Sequence, residues 1–153
     1  MELQDAMPRL DAWGVIAALI DEACVGETIG AAEAAACAAL VTDPEIRAGL
    51  EQVAADEARH AALAWRALVW LLAAHPGCVA PAGDRLGRAL AAHGDRLTGG
   101  DADDALAAWG MPSQASRRSV HRGALEVVRT VGARVLAVGF AASAKPGLTL
   151  AAL

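Results

Sequence analysis

Between residues 44 and 74, apolar and polar positions alternate in steps of four and three. Ile46, Leu50, Val53, Glu57, His60, Ala64, Ala67 and Leu71 fall on one line. A 3.5-residue period is the seam by which helices pair in bundles. Two polar residues, Glu57 and His60, hold successive places in it. Residues 10–41 repeat the rhythm through Ile16, Ile20, Ala23, Glu27, Gly30, Ala34, Cys37 and Val41, with Glu27 the one polar member. The pattern predicts a helix over about 10–41 and a second over 44–74. "TDP" turns between them, with Asp43 as N-cap and Pro44 at the first helical position.

"HPG" ends the second helix. A shorter segment, about 82–97, is weakened by Gly83, Gly87 and Gly94, and "TGGDADD" reads as a loop. Ala105–Trp109 is long enough for one helical turn. Ser113 caps a last helix, about 113–144, which stops before "KPG". His121, Ala124, Val128, Val131, Val135 and Val138 mark its inner line. The expected fold is all-α: a long antiparallel hairpin packed on two further helices, in a single domain over residues 1–153. Leu68, Leu71, Leu72, Val128, Val131, Val135 and Leu136 are the expected remaining core, and Val53 is expected inside the seam.

Spacing fixes the height of each polar seam residue. Helices joined by so short a turn are antiparallel neighbours. Glu27 lies about 21 Å back from Val41, and Glu57 about 20 Å forward from Pro44, at ~1.5 Å per residue. Glu27, Glu57 and His60 therefore meet at one level. Gly30, Ala31, Ala61 and Ala64 leave space around them.

Composition supports the helical reading. The chain has 153 residues, many of them alanine, with no Tyr and one Phe. Alanine favours helix, and the residues that strands need are sparse. The net charge of −5 argues against nucleic acid as a partner. Residues 1–66 carry twelve Asp/Glu against four Lys/Arg, and residues 113–153 six Lys/Arg against one acid. A basic last helix lying on an acidic first half accounts for that. Cys24, Cys37 and Cys78 form no CxxC pair and read as reduced packing residues. "MELQDAMPRLDAWG" does not read as a signal peptide, and no run of about 18 apolar residues indicates a membrane span. These features predict a cytoplasmic protein with no membrane partner.

Two carboxylates and an imidazole drawn together are costly to bury unless paired or metal-bound. Oxygen and nitrogen donors of this kind suit iron or manganese well and zinc acceptably. The plainer alternatives are that Glu57 and His60 bond only each other, or that the seam is rotated and Glu27 reaches solvent.

One Glu on one helix and Glu-x-x-His on the next resembles the half-site of ferritin-like, carboxylate-bridged di-metal proteins. "CVGET" (Cys24–Thr28) with "DEARHAALAWR" (Asp56–Arg66) is similar to the second half of bacterial ferritin-like domain proteins of unassigned function. That resemblance covers roughly residues 10–75, and "SRRSVHRGALEVV" more loosely. It implies a ferritin-like helical bundle with Glu27, Glu57 and His60 as metal ligands. The run Asp56–His60 is also similar to the D-E-x-R-H pattern of di-iron oxygenases, which implies supporting roles for Asp56 and Arg59 around the ligand histidine.

The chain departs from that family in one respect. A full site takes two such helix pairs, and this sequence has one ExxH. His121 and Glu126 have the wrong spacing, and Glu126 is expected to pair with Arg122 or Arg129. His75 sits at a helix end and His93 is expected to face solvent. The resemblance thus implies two iron ions shared between chains, in a homodimer or with a partner carrying the missing half. Three functions remain open: oxidase- or peroxidase-like redox chemistry, iron storage, and a metal-free helical scaffold or interaction module that has lost half of the site.

Overall fold

The computed structural model describes residues 11–95 and 108–144. It is an all-α bundle, with no strand among the described residues. Asp11 opens the first helix by accepting from Gly14 N at 2.7 Å. The helix runs as α1 (Ala12–Ala18), a π-helical stretch (Leu19–Glu27) and α2 (Thr28–Leu40). The expected turn follows. Asp43 accepts from the amides of Glu45 (2.8 Å) and Ile46 (3.1 Å), with Pro44 at the first position of α3, Pro44–Ala74. Arg47 reaches back to donate to the Val41 carbonyl at 2.6 Å, closing the end of α2.

After a single 3-10 turn, Pro76–Cys78, α4 spans Val79–Asp95. It starts three residues earlier than the expected 82–97, and residues 96–97 lie outside the described residues. Pro81 lies in its first turn, where a missing N–H costs nothing, and Gly83 admits Leu136 of α5. α5 spans Gln114–Ala144, capped by Ser113, which accepts from Ser116 N at 3.2 Å. The expected turn at Ala105–Trp109 lies partly outside the described residues; Ala108 and Trp109 are 3-10 helical.

The core gathers Ile16, Ile20, Cys24, Val25 and Ile29 from the first helix, and Trp65, Leu68 and Leu72 from α3. α4 adds Val79 and Leu86, and α5 adds Leu125, Val128 and Val135. Leu71, Val131 and Leu136 pack against it half-buried. Two expectations are corrected. The inner line of the first helix steps from Ile20 to Cys24–Val25 and then Ile29, because a π turn holds more than 3.6 residues. The inward face of α3 is Ala61, Ala64, Trp65, Leu68 and Leu72, not the line through Ile46 and Val53. Val53 is 46 % exposed and Ile46 41 %. The helices that cover α3 lie to one side of that line. No single helix among the described residues is long and apolar enough to cross a membrane.

Candidate metal site on the helical hairpin

Glu27, Glu57 and His60 meet as their spacing requires. One ligand atom from each lies within 4.8 Å of the other two. Glu27 ends the π stretch, so the widened turn sets where its carboxylate leaves the helix. Thr28 anchors that point: its hydroxyl donates to the Cys24 carbonyl at 2.7 Å and accepts from Trp65 Nε1 at 3.3 Å. The hairpin is thus pinned beside the site by one side chain. Asp21, inside the same stretch, is held by Arg85 of α4 through Nε at 2.9 and 3.0 Å.

Glu57 approaches α2 at Gly30. A Cβ there would stand 3.5 Å from Glu57 Oε2, an ordinary contact, so the carboxylate lies directly against α2 at this point. A hydrogen bond from the protonated Glu27 carboxyl to Glu57 raises Glu27 above its ordinary range. Burial and the Glu57 charge act in the same direction, and His60 opposes them. His60 Nδ1 lies 3.8 Å from Glu27 Oε2. The site is open: the His60 side chain is 63 % exposed and that of Glu27 30 %.

Asp56 accepts from Gln52 at 3.1 Å and pairs with Arg59 on the same helix. Its carboxylate therefore lies along α3 and does not bond His60 of its own chain.

Elsewhere, Glu126 pairs with Arg129, as expected. His121 is buried in α5, with Nδ1 3.5 Å from Glu33 Oε1, and among the described residues its Nε2 has no hydrogen-bond partner. The His93 ring stands 6.0 Å from it, half-buried instead of facing solvent. Glu33 was not singled out from the sequence. Its position three residues before the Ala36–Cys37 pair gave no periodic signal towards α5. Glu33, Cys37, Met111 and Arg117 border a cavity of about 270 Å³ between α2 and the start of α5. Burial, with the Glu33 charge, pushes the Cys37 thiol up, and Arg117 partly offsets this. Cys24, fully buried, is pushed up to about 12 by burial alone. Neither thiol is set up as a nucleophile.

No model of a protein family, no curated protein and no solved structure matches this chain.

Proposed function

We propose that the protein binds iron at Glu27, Glu57 and His60 and serves oxidase- or peroxidase-like redox chemistry or iron handling. The observation that carries this reading is the convergence of three donor atoms within 4.8 Å from two helices. The donor set fits the ion. Two carboxylates and an imidazole are hard-to-borderline ligands, suited to iron or manganese and acceptable for zinc. A cation at this site competes with protons for Glu27, whose carboxyl Glu57 holds above its ordinary range. A bound iron would supply one-electron chemistry with oxygen or peroxide. The chain itself supplies one carboxylate at the end of the π turn, one beside Gly30, and an imidazole open to solvent. The ferritin-like resemblance agrees with this arrangement.

Metal content per chain tests the proposal, measured after aerobic purification from cells supplemented with iron. The expected result is iron at a fixed ratio to protein, lost in Glu57→Ala and His60→Ala. Protein that holds no iron, manganese or zinc above background would sink it.

A second reading rests on the exposure of His60. A side chain 63 % exposed needs no compensating ion, and in this alternative the hairpin is a metal-free scaffold or interaction module. Under that reading, chelator leaves the melting temperature unchanged, and both alanine variants are neutral.

A further inference from the structure

α3 carries a second seam on the side that the core does not use. Ile46, Val53 and His60 follow one another at intervals of seven, as do Asp56, Leu63 and Trp70. All six reach solvent: Ile46 41 %, Val53 46 %, Leu63 59 % and Trp70 63 %, with the His60 side chain at 63 % and that of Asp56 at 42 %. Two lines of heptad spacing side by side are what one helix presents to another. Among the described residues, Ile46, Val53, Leu63 and Trp70 all leave two-fifths or more of their surface to solvent.

The two lines are mirror-related about Ala58. Ile46 and Trp70 lie twelve residues either side of it, Val53 and Leu63 five, Asp56 and His60 two. We propose that α3 pairs antiparallel with α3 of a second copy of this chain, about a two-fold axis at Ala58. A two-fold interface requires that if residue i meets residue j, then j meets i. Reversing one copy about Ala58 satisfies this in three layers: Ile46 on Trp70, Val53 on Leu63, and Asp56 on His60. The apolar layers flank the polar one over about 36 Å of helix. A register shifted by a turn sets Ile46 or Trp70 against polar or empty positions.

The pairing has a consequence for the metal, and this part rests on the proposed function. Glu57 is one residue from the axis, so the two Glu57 side chains come within about 3 Å of each other along the helix direction. One chain's three donors then become six, enough for two ions with shared carboxylates. Asp56, which does not bond His60 of its own chain, lies opposite His60 of the second copy.

Light scattering after size exclusion, with and without added iron(II), gives the mass. The parent is expected at twice the 15.5 kDa chain. Ile46→Glu and Trp70→Lys, each eleven or more residues from Glu57 along α3 on exposed positions, should each fold like the parent yet fall to a single chain. The double variant Ile46→Glu/Trp70→Lys should recover the paired mass, because this register sets the new charges opposite each other. A parent that stays a single chain with iron present overturns the proposal, as does a double variant that fails to recover. Iron counted on the same samples separates the two ideas. One ion on a lone chain leaves the site standing without the pairing, whereas a recovered pair without iron leaves the pairing standing without the site.

Discussion

Cys24 shows what burial does to a single group in this fold. It is fully enclosed between Ile20, Val25 and the α3 face, and its thiol is pushed up to about 12 by desolvation. The folded state therefore holds its proton above the ordinary value of 9.0. Stability from this group is complete below about pH 9 and drains away as pH rises towards 12, because the unfolded chain ionises first. At pH 8 the thiol is both neutral and inaccessible. Alkylation by iodoacetamide, mapped by mass spectrometry, should leave Cys24 unmodified in native protein and label it fully in denaturant. Labelling of Cys24 at the rate of half-buried Cys78 would show that the core around the π stretch opens readily. Thr28 acts at the same scale: a hydroxyl that both donates and accepts ties the turn before Glu27 to Trp65. No spacing rule points to it, since a threonine in a helix leaves no periodic trace.

Helix α5 owes its close approach to particular glycines. A Cβ on Gly132 would run into the end of Leu86 of α4 and stand 3.6 Å from Trp65, whereas one on Gly123 meets nothing within 4 Å. Gly132→Ala should therefore cost about 1–3 kcal/mol through overpacking. Gly123→Ala should gain about 0.5–1 kcal/mol by restricting the unfolded chain. Urea unfolding of the two variants checks the opposite signs, and equal effects would mean that α4 and α5 are not in this contact. At this scale most of the architecture was legible. Asp43 and Pro44 mark the turn, Ser113 marks the start of α5, and the seam levels bring Glu27 to Glu57. Two elements were not. The π stretch has no sequence signature in a run of small residues, so the inner line of the first helix drifts from a constant 3.5 period. In α3 the period was right but the face was not. Ile46 and Val53 share a line with Ala64, and periodicity alone does not say which side of that line the other helices cover.

For the whole molecule, the open face of α3 joins fold and function, since the three candidate ligands lie along its border. The ligands sit where their removal does little to the core. Glu57 is half-buried beside a glycine, and its hydrogen bond and charge raise the Glu27 carboxyl. Glu57→Ala should thus leave the metal-free melting temperature unchanged or slightly higher, by releasing Glu27 from an unfavourable neighbour. With metal the expectation reverses. An ion that binds only the folded state at a hundredfold excess over its dissociation constant contributes about 2.7 kcal/mol. At about 2–4 °C per kcal/mol for a chain of this size, the parent should melt roughly 5–10 °C higher in iron(II) or manganese(II) than in chelator. Glu57→Ala should show no such rise. Calorimetry of both proteins at one concentration, with metal and with chelator, reads the four values. A parent indifferent to chelator leaves only the scaffold reading. A variant that keeps the full rise places the metal elsewhere, because no ion held by two carboxylates and one imidazole loses a carboxylate without loss of affinity.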